Sequence, residues 1–206
     1  MGGTGHKKGV AIDTPIHTRR FRESDLSEII RIVQENLAWN LSESERADGF
    51  LSVDFGPDQV LRFNRSIPIV VSESGPSLTG FLMGSSLDES ASIPILVKMI
   101  ECYDSLRFDG RFLNEYRSYV YGPVCVDRSV RGQGVLESLF RECLAQLAGR
   151  FEIGVLFVSA ENERSIEAHR RKLGMELVGE FEFDEKMFQV LAFRLPGSPT
   201  KSALKA

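Results

Sequence analysis

The stretch VCVDRSVRGQGVLESLFRECLAQL, residues 124–147, joins an apolar run, a basic glycine loop and an amphipathic helical pattern without a break. Val124, Cys125 and Val126 are β-compatible, and residues 127–134 then supply two arginines and two glycines. From Leu136 the apolar positions Leu139, Phe140, Cys143, Leu144 and Leu147 follow the three-and-four spacing of one helical face. The loop therefore sits at a helix N-terminus, where first-turn N–H groups lack intrahelical partners and the peptide dipoles favour an anion. Gly132 and Gly134 allow close backbone approach, and Arg128 and Arg131 add positive charge. A pyrophosphate suits such a loop. The same residues also satisfy a plainer reading, a tight strand-to-helix turn with solvated arginines.

Spacing discriminates among phosphate loops. No GxxxxGK[ST] occurs, which excludes a P-loop, and a dinucleotide fingerprint needs a third small residue where Gly134 is followed by Val135, Leu136 and Glu137. What remains resembles motif A of the GNAT acetyltransferase superfamily, [RQ]-x-x-G-x-[GA], here Arg131, Gly132, Gln133, Gly134, Val135 and Leu136. Leu136 departs from the family's glycine or alanine. The resemblance implies that these six residues hold the pyrophosphate of coenzyme A, and that Val124, Cys125 and Val126 hold its thioester and pantetheine through the strand backbone.

A second stretch, SAENERSIEAHRRKLGMELVGEF at residues 159–181, resembles the family's later motif, N-x-x-[AS] followed by a tyrosine and then x-K-L-G-F. Asn162, Ser165, Lys172, Leu173 and Gly174 match. In the family the asparagine contacts pantetheine and the tyrosine protonates the departing thiolate. Counting forward from Asn162 puts His169 at the tyrosine position, and counting back from Gly174 puts Arg170 there, so one residue is inserted between the landmarks. His169 is the expected proton donor, because an imidazole can donate near neutral pH and a guanidinium cannot. Arg170 is expected to contact a phosphate or carboxylate. Each has a structural alternative: His169 shares a helical face with Ile166 and Leu173, and Asn162 is a favoured helix cap.

The general base is left among Asp88, Glu89, Glu115, Tyr119 and Tyr121, or a water chain. Cys125 reads as a small buried residue rather than a nucleophile, since no histidine is paired with it by pattern.

Composition bounds the rest. At 206 residues the chain favours one domain, residues 14–195, between polar ends at 1–13 and 196–206 that are expected to be flexible. A net charge of −4 argues against a generic nucleic-acid or anionic-membrane binder. Cys102, Cys125 and Cys143 are scattered and odd in number, signalling neither a disulfide framework nor a metal site, and a reducing cytoplasm is expected. The N-terminal residues lack the apolar core of a secretory signal, His6 breaks a myristoylation pattern, and no apolar run is long enough to cross a bilayer.

Along the domain, strands are expected at residues 16–21, 67–74, 78–85, 116–126, 153–160, 176–183 and 187–194. Helices are expected after a Ser24 cap, from Pro57, over 92–105, after Gly134 and over 162–173. The order predicts an α/β, or α+β, mixed sheet of six to seven strands, mostly antiparallel, splayed between two parallel strands with helices on both faces. This order also resembles GNAT domains over nearly the whole chain.

The resemblance implies an acetyl-CoA-dependent N-acyltransferase acting by direct attack of a small-molecule or peptide amine, without metal. A homodimer is possible in principle, and the length of the acyl group is open. Two other readings stay open: a non-catalytic acyl-CoA-binding module or sensor, and a dinucleotide-dependent oxidoreductase.

Overall fold

The computed structural model describes residues 15–198; the expected flexible segment 1–13 and residues 199–206 of the tail lie outside them. Among the described residues nine strands and seven α-helices follow in chain order: β1 (Ile16–Arg20), α1 (Leu26–Asn36), α2 (Glu43–Arg46), α3 (Pro57–Ser66), β2 (Val70–Ser74), β3 (Ser77–Ser85), α4 (Leu87–Ser90) and α5 (Pro94–Glu101). Then come β4 (Arg107–Phe108), β5 (Arg111–Phe112), β6 (Ser118–Val126), α6 (Val135–Leu147), β7 (Ile153–Ser159), α7 (Glu163–Glu167), β8 (Glu176–Phe183) and β9 (Lys186–Arg194). Seven strands form one sheet in the order β1-β2-β3-β6-β7-β9-β8, while β4 and β5 make a small separate hairpin. Every neighbour in the large sheet is antiparallel except β6 and β7, which the α6 crossover makes parallel.

Each face of the sheet is covered because its strands alternate. On one face α1, α3 and α5 bury Ile29, Val33, Val60, Phe63, Leu96 and Met99 against Phe81, Met83, Val120 and Val155. On the other, α6 buries Val135, Leu139, Cys143 and Leu147 against Leu82, Tyr119, Leu156 and Leu191.

β6 departs from regularity where it matters. Val124 faces Leu82 and Tyr121 faces Gly84 on β3, so Gly122 and Pro123 together oppose Met83 alone. This one-residue bulge reverses the alternation: Tyr119 and Tyr121 pack on the α6 face before it, Val124 and Val126 after it. Pairing with β7 ends earlier, at Val120 with Val155. Beyond that pair the two parallel strands separate.

Local differences from the sequence-based expectations have local causes. Ser24 makes no cap hydrogen bond; the Asp25 carboxylate instead accepts from the Arg22 N–H at 2.8 Å and from the Arg19 guanidinium at 2.7 Å, because a charged acceptor outcompetes a hydroxyl. The helix expected over 92–105 ends at Glu101 and tightens into a 3₁₀ turn. The helix expected over 162–173 is α-helical only to Glu167 and then passes through a π-helical turn at Ala168–Lys172.

Candidate active site

The loop after β6 carries the geometry that its composition implied. Gly132 and Gly134 have φ of 81° and 80°, a left-handed conformation that glycine adopts without strain, and nothing lies within 4 Å of where a Cβ would stand on either. Gly134 is the N-cap of α6, so the unpaired first-turn N–H groups of that helix open beside the loop.

Arg131 is not a free cation there. Its Nε donates to the Val126 carbonyl at 2.9 Å and its Nη1 to the Asp48 carbonyl at 2.6 Å. The side chain pins residues 48–51 as a strap over the end of β6. Asp48 is held from the far side as well, its carboxylate accepting from Arg164 at 2.7 Å. Asn162 completes the tether: Nδ2 donates to the Phe50 carbonyl at 3.0 Å, while Oδ1 caps α7 by accepting from the Ser165 N–H at 3.2 Å. Its amide thus serves structure with both ends.

Two adjacent cavities with shared walls run beneath this strap. The first, about 800 Å³ including its mouth, is lined by Val124, Cys125 and Val126, by Arg131, Gly132, Gly134, Val135 and Leu136, and by Asn162, Ser165 and His169. The second, about 730 Å³, occupies the opening between β6 and β7 and shares Val124, Asn162, Ser165 and His169 with the first. Most expected site residues are therefore brought together around one groove. Two are not. Gln133 is exposed, its side chain turned to the Ser129 carbonyl, and Arg170 is exposed and lines neither cavity. The π-helical turn absorbs the inserted residue, so His169 points inward and Arg170 outward.

His169 is 4 % exposed. Its Nδ1 lies 2.7 Å from the Ser165 backbone carbonyl, which can only accept, so Nδ1 carries the proton and Nε2 of the neutral ring carries the lone pair. Nε2 is buried without a hydrogen-bond partner among the described residues. Burial holds the imidazole below its ordinary 6.5, against the opposing hydrogen bond to Ser165. The resting group is an acceptor, not the donor expected from the sequence.

The proposed bases fare differently. Asp88, Glu89 and Glu115 line neither cavity, and Glu115 accepts from the Phe112 N–H. Tyr119 is buried under α6 against Cys143. Tyr121 reaches the second cavity with its ring edge-on to His169, centroids 5.8 Å apart, and burial raises its phenol well above 10, so it stays protonated. Burial likewise pushes the Cys125 thiol up to about 12, which removes it as a nucleophile at neutral pH.

The sequence suggested only that acceptor-reading residues lie within 39–65 or 88–103, and it singled out none of Asp48, Gly49, Phe50 and Leu51, nor Arg164 and Glu137, as lining the first cavity, as all of them do. No spacing marked them, since long-range packing alone brings residues 48–51 to the groove.

No family model and no curated protein matches the chain. Solved structures do. Ribosomal-protein-alanine N-acetyltransferase from Brucella melitensis superposes with a TM-score of 0.57 at 18% identity, covering 87% of this chain and 99% of that one. An acetyltransferase of the GNAT family from Streptococcus pneumoniae gives 0.57 at 12%, covering 88% and 99%. The chain has the GNAT fold. Another structure with this fold, yncA from Salmonella typhimurium solved with its cofactor acetyl-CoA, gives 0.58 at 15%, covering 90% and 96%. The GNAT fold accounts for the parallel pair and the separation of β6 from β7. Among the described residues no cluster of histidine, cysteine, aspartate or glutamate could hold a metal ion, and no helix is long and apolar enough to cross a membrane.

Proposed function

We propose that the chain transfers an acyl group from an acyl-CoA thioester, acetyl-CoA in the first instance, to an amine. The observation that carries this reading is that the cavity at the α6 N-terminus and the cavity in the opening between β6 and β7 share the walls Val124, Asn162, Ser165 and His169, the last with its Nε2 buried and unpartnered among the described residues. Residues 131–136 would hold the pyrophosphate with backbone N–H groups, and the open space above Gly132 and Gly134 supports close approach there. Val124, Cys125 and Val126 would line the pantetheine arm. The thioester supplies an activated carbonyl carbon to attack.

The protein's own work is to orient the reactants, exclude water and handle one proton. Ser165 fixes the imidazole tautomer through its carbonyl, with its hydroxyl 3.3 Å from the same nitrogen. Nε2 then accepts the proton released by the attacking amine, and the resulting imidazolium donates it to the leaving sulfur. The donor role implied by the family's tyrosine is thus reached only after an acceptor step.

Calorimetry paired with a thiol-release assay tests the assignment. Gly134→Asp places a carboxylate at the loop in a left-handed conformation that aspartate tolerates, and is expected to weaken acetyl-CoA binding at least tenfold with native circular dichroism. His169→Gln is expected to keep affinity within about twofold and to lower turnover on the order of 10²-fold or more. Unchanged affinity in the first variant overturns the loop assignment, and unchanged turnover in the second overturns the proton role.

A further inference from the structure

The cavity between β6 and β7 differs in character from the groove that leads to it. Its walls are Phe50 from the strap, Val53 just after it, Phe63 from α3, Leu96 from α5, Val120 from β6 and Phe157 from β7. Among the described residues no aspartate, glutamate, lysine or arginine lines it. Its polar edge is short. Asn162 already spends its amide on the strap and the α7 cap, and two other lining residues, His169 and Tyr121, carry a side-chain polar atom that is buried without a partner among the described residues.

Such a cavity penalises charge. An ammonium group carried into it loses its water and meets no carboxylate, whereas an aryl or branched alkyl group gains from leaving water against the phenylalanine and leucine walls. The same walls would also accept a long acyl chain on the donor. With acetyl as the donor the acyl group fills little of the roughly 730 Å³ enclosed, so the phenylalanine and leucine walls are left for the body that the attacking nitrogen carries.

We propose that the acceptor is a primary amine on an uncharged aromatic or branched aliphatic body, bound as the free base with its nitrogen at Nε2 of His169. The proposal rests on the acyl-transfer reading and names its substrate class. In the step itself the amine lone pair forms the new C–N bond as the C–S bond breaks with its electron pair on sulfur. One amine proton passes to Nε2 and from there to the thiolate, so no outside acid or base is consumed. Polyamines and amines bearing a second cationic group are poor acceptors on this account.

The test uses thiol release from acetyl-CoA with benzylamine, 2-phenylethylamine and isoamylamine against spermidine and lysine amide. A second arm holds isoamylamine fixed and lengthens the donor from acetyl to butyryl and hexanoyl. The expected result is kcat/KM at least tenfold higher for the apolar amines, with no gain from a longer acyl chain. Val53→Glu, at a half-buried wall residue that lines this cavity and not the first, is expected to reduce that preference at least tenfold while acetyl-CoA affinity by calorimetry is unchanged. Preference for the cationic amines overturns the proposal and leaves acyl transfer standing. A preference for hexanoyl donor without discrimination among amines assigns the walls to the acyl chain and also overturns it. Absence of thiol release with every amine overturns both readings.

Discussion

Glu137 sets two electrostatic demands against each other at a single residue. It lies in the first turn of α6, where a carboxylate stabilises the helix by about 0.3–1 kcal/mol through the macrodipole. It also lines the groove beside Gly134, and its Oε2 is buried without a hydrogen-bond partner among the described residues. A phosphate held by the same N–H groups would meet that negative charge at short range. Arg131 keeps its positive charge but has two of its N–H donors on the Val126 and Asp48 carbonyls, so it offsets Glu137 through the field more than through direct hydrogen bonds to the phosphate. Removing the charge while keeping the shape should therefore help binding and cost stability. Glu137→Gln is expected to tighten coenzyme A by about 1 kcal/mol, roughly fivefold in Kd, and to lower thermal stability slightly. Calorimetry across salt concentrations checks this, since the gain should shrink as salt screens the pair. An unchanged or weakened affinity at low salt counts against a phosphate beside Glu137.

At the scale of the element, the π-helical turn at Ala168–Lys172 carries the most information. Residues 162–174 contain one residue more than the family's spacing, and an α-helix turns about 100° per residue, so an insertion must either rotate a landmark or be absorbed. Here it is absorbed after His169. The sequence showed that a residue was extra but not where it went, because hydrophobic periodicity does not register a single widened turn. The bulge in β6 was hidden for a related reason: apolar residues on both sides of Gly122 and Pro123 read as one strand, although that dipeptide is itself a breaker signal. By contrast β3, α6 and β9 were legible to within two residues, since their alternation or three-and-four pattern is local. Deleting Arg170 is expected to convert the turn to α-helix, keep Asn162 and His169 in register and leave turnover within about threefold. Deleting Ile166 should instead rotate His169 away from the groove and abolish turnover without unfolding the domain. Equal loss in both deletions, with native circular dichroism, would refute the absorbed insertion.

For the whole molecule, pH links the site to stability. The fold class was readable from the order of strands and helices, but the packing that buries His169 and draws the strap over the groove was not, because it depends on contacts between distant segments. That packing has a thermodynamic consequence. Burial holds the folded pKa of His169 below its ordinary 6.5, so on acidification the unfolded chain binds this proton first and stability falls as pH drops below about 6.5. The carboxylates act lower. The Arg117 N–H and Arg111 hold Glu152 below its ordinary value, and the Arg19 guanidinium does the same for Glu73. For Asp25 burial pushes upward, but the hydrogen bonds from Arg19 and the Arg22 N–H outweigh it. Their contribution is complete above the unfolded carboxylate values near 4 and is lost as pH falls through the depressed folded ones. Acid destabilisation should consequently proceed in two stages. Melting temperatures measured from pH 8 to pH 4 are expected to decline below about pH 6.5 in the natural chain. In His169→Gln the curve should stay flat until about pH 5, because glutamine takes up no proton in either state. Parallel curves for the two proteins would mean that His169 is protonated as readily in the folded chain as in the unfolded one, and the neutral imidazole on which the proton transfer depends would be lost with it.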